Sequence, residues 1–214
     1  MKFLTSFLFL AIGCAATYAQ ERIVDEATYN EQMRKASEYR LKENYRVSRI
    51  TEFCEKENCI WKPVSSDVME YDHPGKRRSF MIDTGRGETK PSTEWIFIDN
   101  KIYVKRPNMD WRIEEQKIRD GNDQTSQTIK IEYKDLGAEI KGLDEMRVLL
   151  RTAHWRVTLN GEESENIQAI KAWIDQTGRL KKQEYLLTDS RRGSTKLTMF
   201  YEVDPSIKVE APIK

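Results

Sequence analysis

The sequence predicts a mostly β, α+β domain: an antiparallel sheet covered by one or two helices. Three observations carry this. Apolar and polar residues alternate with period two through most of the chain, turn-forming pairs punctuate the alternation, and one early segment carries a period of three to four. No Pro/Gly/Ser-rich linker and no internal repeat divides the 214 residues, so residues 20–214 are expected to form a single domain behind a leader at 1–19. A chain of this length can bury about 70% of its unfolded surface.

The leader, MKFLTSFLFLAIGCAATYA, has a positive Lys2, an apolar run from Phe3 to Ile12, and small residues at Thr17 and Ala19. That is the anatomy of a secretory signal, and it predicts export and release after Ala19, giving a soluble product that begins at Gln20. A second reading stays open. Ala11-Ile12-Gly13-Cys14 resembles a lipobox, although Ala11 departs from the usual Leu, and lipidation of Cys14 would give a membrane-anchored lipoprotein. The apolar run is shorter than the ~20 residues a spanning helix needs, and no other such run follows it.

After the leader the elements follow in order. Asp25 can cap a helix in which Tyr29, Met33 and Ala36 make one apolar stripe among charged residues. From Tyr45 the period becomes two, and the run ends at Cys54. Cys54 and Cys59 bracket a turn-like Glu-Lys-Glu-Asn and are expected to staple a hairpin as a disulfide, since CxxxxC is neither a thioredoxin-type pair nor part of a zinc set. A return strand begins at Cys59 to Trp61. Ser66 to Tyr71 and Ser79 to Asp83 read as two more, separated by Asp72-His73-Pro74-Gly75.

Glu94 to Ile98 and Lys101 to Lys105 flank Asp99-Asn100, a pair suited to the positive φ angles of a type I′ hairpin, and Trp111 is expected to plug the sheet's end. Thr128 to Tyr133 alternates again, Leu143 to Leu150 reads as a short second helix, and Trp155 to Leu159 runs into Asn160-Gly161, another hairpin signal. Strands at Ile167 to Asp175, Leu180 to Thr188 and Thr195 to Val203 complete the chain, joined at Gln176-Thr177-Gly178 and Arg191-Arg192-Gly193.

Composition excludes several function classes. One third of residues are charged and the mean hydropathy is -0.73, which describes a folded domain with a very polar surface. The formal charge of +1 becomes zero without Lys2, and the short basic runs are diluted by acids, so neither nucleic acid nor an anionic membrane is implied. Only two histidines occur. His73 reads as a turn residue, His154 as a structural strand residue, and no HExxH, GxSxG or phosphate loop is present. Gly85-Arg86-Gly87 reads as a hairpin loop, and Asp120-Gly121-Asn122-Asp123 as a polar turn without EF-hand spacing. No nucleophile, base and orienting group can be assembled from spacing, so no enzyme, cofactor or metal is expected.

The tail resembles a known family. IKAWID (170–175), QTG (176–178), RLKKQEYLL (179–187) and TMFYEVDPSIKVEAP (198–212) are similar to the closing third of LolA-like proteins, the superfamily of lipoprotein carriers and related lipid-binding exported proteins. WIFIDNKIYVKRPNMDW (95–111) resembles their central hairpin. The resemblance covers most of the chain after the leader through element order, without a catalytic motif. It implies a curved, incomplete barrel whose helices cover an apolar concavity, a periplasmic or secreted location, and an apolar ligand such as a lipid or lipoprotein acyl chain, bound without catalysis by an expected monomer. It also implies an alternative, a sensor or interaction domain resembling the LolA-like domain of sigma-factor regulators, with an envelope protein as partner.

Cavity candidates come from strand alternation alone. Trp95 and Phe97 share one strand face, Met199 and Tyr201 share another, and Trp155, Trp173 and the helix residue Met33 add aromatic or adaptable surface. Aromatic residues in a β domain this size serve the core as readily as a ligand.

Overall fold

A computed structural model describes residues 21–55, 59–82, 84, 91–99, 101–114, 124–141, 144–159, 162–190 and 193–213. The leader with Cys14, the Gly85-Arg86-Gly87 loop, the Gly121 segment and the Asn160-Gly161 turn lie outside the described residues.

A two-residue strand β1 (Arg22–Ile23) leads into helix α1 (Glu26–Ser37) and a 3₁₀ turn (Glu38–Leu41). Eleven strands follow: β2 (Tyr45–Cys54), β3 (Lys62–Asp72), β4 (Lys76–Ile82), β5 (Thr93–Ile98), β6 (Lys101–Lys105), β7 (Arg112–Glu114), β8 (Gln124–Lys141), β9 (Asp144–Leu159), β10 (Glu162–Ile174), β11 (Leu180–Asp189) and β12 (Gly193–Val203). They form one open antiparallel sheet in the order β1-β8-β9-β10-β11-β12-β2-β3-β4-β5-β6-β7. Pairing of β12 with β2 joins the two halves of the chain, and every other contact between long strands is a local hairpin.

Capping starts the helix where the sequence places it. The Asp25 carboxylate accepts the Thr28 backbone N–H at 2.7 Å, and Tyr29 and Ala36 are buried against the sheet with Met33 partly buried beside them. One core cluster gathers Tyr29 and Ala36 with side chains from β2, β3, β8, β9, β10, β11 and β12, including Tyr133, Leu149, Ala172, Leu180, Val47 and Tyr201. Seven flat strands would spread over about 29 Å, whereas a twelve-residue helix is about 18 Å long. The sheet therefore curls around α1, and the side facing the helix is the concave one.

A second cluster sits on the opposite face. Ile96, Ile98 and Tyr103 of the β5–β6 hairpin bury Ile207 and Val209 of the carboxy-terminal tail, with Trp111 packed at the margin. The tail is tied down by the Asn44 side-chain amide donating to the Ile207 carbonyl at 2.9 Å and the Val209 N–H donating to Asp72 at 3.0 Å. Turn chemistry agrees with the sequence: Asp99 takes φ 49°, and Gly178 takes φ 80° while Asp175 accepts the Thr177 and Arg179 backbone N–H groups at 2.9 Å each.

Two expectations are corrected. The segment read as a second helix from Leu143 to Leu150 is strand from Asp144 onward and belongs to β9. β9 lies between β8 and β10 and is buried on both faces, with Val148 on one side and Leu149 on the other at 2% and 0% exposure. Its apolar run therefore has no alternation to read, and tertiary pairing decides the state. The return strand from Cys59 and the strand from Ser66 are one element, β3. Thr51 opposes Ser65 while Glu52 opposes Pro63, so Val64 is an extra residue and Pro63, which has no N–H to give the ladder, sits at that bulge. The structure links Cys54 to Cys59 by a disulfide at the β2 end of this hairpin.

Candidate functional site

Directly opposed residues in an antiparallel ladder share a face. Val203, Tyr45, Tyr71, Arg77 and Phe97 form one row across β12, β2, β3, β4 and β5, and Tyr201, Val47, Met69, Ser79 and Trp95 form the next. Tyr45 and Val47 pack in the helix-side core, so both rows line the concave face.

Between α1 and this face lies a cavity of about 530 Å³. Its floor is Val47, Met69, Met199 and the rings of Tyr45, Tyr71 and Tyr201, and its roof is Met33 with Asn30, Arg34 and Ser37 of the helix. That volume is within the range of ordinary ligand pockets, and three methionines give the wall an adaptable surface. The polar groups in the wall are held in place. Tyr201 donates to Gln183 Oε1 at 2.6 Å, and Tyr45 stacks on Tyr71 with centroids 4.4 Å apart and planes 7° apart. Burial pushes the Tyr45 phenol up to about 12 and lifts that of Tyr201 further, so both rings are neutral hydrogen-bonding groups at physiological pH.

A second recess of about 260 Å³ adjoins the first at the β3–β4 turn and shares Arg40, Tyr45 and Tyr71 with it. Phe97 adds an aromatic wall, and Arg77, Lys76 and His73 with Glu43 and Asp72 complete its polar side. The Arg77 guanidinium lies 3.9 Å from the Phe97 ring centroid, and the Arg40 guanidinium lies 5.4 Å from that of Tyr201.

The seven cavity candidates divide as follows. Met33, Met199 and Tyr201 line the cavity under the helix, and Phe97 lines the adjoining recess. Trp95 shares their face but borders neither space. Trp155 borders a separate recess of about 320 Å³ with Ile129, His154 and Ile167. Trp173 is on the other face of the sheet: it opposes Lys182, which opposes Phe200, whereas its neighbour Ala172 opposes Gln183 and, through it, Met199. Its indole donates to Glu139 at 2.9 Å and is covered by the Lys182 ammonium at 4.1 Å, so it is buried as convex-face packing. The register with β11 slips just past Trp173, where Lys181 is an extra residue of β11.

Sequence reading missed Tyr45, Val47, Met69, Tyr71, Arg40 and Arg77. Alternation from Tyr45 does put Tyr45 and Val47 on one face, and Met69 and Tyr71 fall within the strand read from Ser66 to Tyr71, but pairing of β12 with β2 decides that these residues meet Met199 and Tyr201. Nothing local marks Arg40 or Arg77. His73 is exposed and its backbone N–H donates to Asn44 Oδ1 at 2.7 Å. Among the described residues no group of three or more His, Cys, Asp or Glu could hold a metal ion, and no helix is long and apolar enough to cross a membrane.

No family model and no curated protein matches the chain. Solved structures similar to it include the following two. One is a "putative outer membrane lipoprotein-sorting protein domain" from Vibrio parahaemolyticus, 9% identical, covering 86% of this chain and 95% of that one with a TM-score of 0.33. The other is a DUF1329 family protein from Desulfovibrio piger, 12% identical, covering 85% of this chain and 94% of that one with a TM-score of 0.32. The fold described above rests on the strand ladder itself and not on either likeness.

Proposed function

We propose that this chain is an exported, non-enzymatic binding protein of the cell envelope that holds a lipid, a lipoprotein acyl chain or another apolar ligand between α1 and the concave face of the sheet. The observation that carries the reading is the cavity floored by Val47, Met69 and Met199 and roofed by Met33. The apolar side chains of this wall face an open space, and an acyl chain moving in from water gains about 0.8 kcal/mol per buried methylene. The leader supports export, and the neutral phenols of Tyr45 and Tyr201 suit an apolar guest whose few polar atoms need hydrogen bonds.

Native mass spectrometry after gentle purification, followed by titration with monooleoylglycerol and with oleate, tests this. One amphiphile bound per protein is expected. Met199→Trp, which fills the cavity, should weaken uptake at least about tenfold while thermal unfolding shows the variant folded. A wild type that arrives empty and takes up neither probe overturns the reading.

A further inference from the structure

We propose that the ligand is an anionic amphiphile, whose apolar chain lies under α1 and whose carboxylate or phosphate headgroup is held in the adjoining recess between Arg40 and Arg77. This rests on the binding function proposed above and names the chemical class of its ligand. The recess and the cavity meet at Arg40, Tyr45 and Tyr71, so a molecule with its chain in one places its head in the other.

Charge bookkeeping within the recess favours an anion. Three cations, Arg40, Lys76 and Arg77, face two carboxylates, Glu43 and Asp72. Both carboxylates are already engaged: Glu43 accepts from Arg179 at 2.8 Å, and Asp72 accepts from the Asn44 side chain at 3.3 Å and the Val209 N–H at 3.0 Å. Lys76 stands 3.9 Å from Asp72, at the outer limit of an ion pair.

The arginines of the neighbouring strands show what is unusual here. Arg46 pairs with Glu70 at 3.0 Å, Arg49 with Asp67 at 2.5 Å and Arg78 with Glu94 at 2.6 Å. Arg40 and Arg77 form no ion pair among the described residues, and each guanidinium instead faces an aromatic ring. Arg77 Nε is buried with no hydrogen-bond partner among the described residues. A buried donor left unmet is costly, and a planar guanidinium is matched in shape and charge by a carboxylate or phosphate that takes two of its N–H groups. The 3.9 Å contact with the Phe97 ring restricts the Arg77 side chain in advance, which lowers the ordering needed when the anion arrives.

The test compares three probes with the same oleoyl chain, each below its aggregation concentration: oleate, oleoyl lysophosphatidate and neutral monooleoylglycerol. Wild type should bind one or both anionic probes at least about tenfold more tightly than the neutral one, the gain expected of a charge-assisted bidentate contact. Oleate against lysophosphatidate tells which headgroup the recess fits. Arg40→Gln and Arg77→Gln should each cut the preference for the anionic probes to within about twofold, and Arg77→Lys, which keeps the charge without the fork, should fall between. Cooperative thermal unfolding of each variant shows that it folds. Equal binding of all three probes by wild type, or a preference surviving both Gln variants, overturns the anionic headgroup while leaving the proposed binding cavity standing. Failure to bind any of the three removes the cavity reading itself.

Discussion

At Asp135 three donors converge on one buried carboxylate. Arg147 reaches it at 2.6 Å, Arg22 at 2.9 Å and the Gly137 backbone N–H at 3.0 Å. Burial alone would raise its pKa, but the two guanidinium groups and the amide outweigh burial and hold the group down to about 2. A carboxyl depressed in the folded state contributes stability above its unfolded value near 4 and loses it as pH falls toward 2. The interaction also fastens β1, because Arg22 opposes Asp135 in the ladder. Asp135→Asn should therefore cost on the order of 2 kcal/mol at pH 7. Urea unfolding of both proteins at pH 7, 4 and 2 should show that gap closing across the acid range, and a gap of constant size would refute the assignment. Trp173 makes the opposite point about chemical identity and position. Its size suggested a ligand wall, yet Glu139 and Lys182 hold it on the convex face.

Single elements were legible where local chemistry speaks. Asp25 marked the start of α1, Asp99 and Gly178 marked turns, and the β2, β5, β6 and β11 runs were visible from alternation. What stayed hidden is non-local: the strand nature of β9, buried on both faces, the bulges that extend β8 through Ile129 and Leu136, and the β12–β2 pairing that turns separate strand faces into one cavity floor. The β2–β3 hairpin is an element whose chemistry can be checked directly. Cys54 and Cys59 close a loop of sequence separation 5, and loop closure this short stabilises toward the low end of the disulfide range, about 2 kcal/mol. Thiol counting on unreduced protein recovered from an oxidising compartment should find neither cysteine free, and reduction should lower stability without abolishing the fold, since the ladder from Tyr45 to Thr51 pairs independently of the staple. Two reactive thiols in that material would refute the link.

For the molecule as a whole, the sheet supplies a curved floor, α1 supplies a roof, and the carboxy-terminal tail braces the outer face of the β5–β6 hairpin through Ile207 and Val209. Under the proposed function, whether the protein is released or held at a membrane turns on how residues 1–19 are processed. Thr17 and Ala19 offer the small residues a signal peptidase reads, whereas Ala11 weakens the lipobox before Cys14. We accordingly expect a product that begins at Gln20, carries no net formal charge and diffuses between membranes with its ligand enclosed. Lipidation at Cys14 would add several acyl chains, and two or more chains hold a protein stably where one gives only marginal binding. Intact mass of the mature protein distinguishes the two products, and cell fractionation of Cys14→Ser gives an independent readout. Release of both wild type and variant into the soluble fraction is the expected result. A membrane-bound wild type whose Cys14→Ser variant is soluble or unprocessed would instead make this an anchored receptor, holding its amphiphile at one membrane rather than carrying it to another.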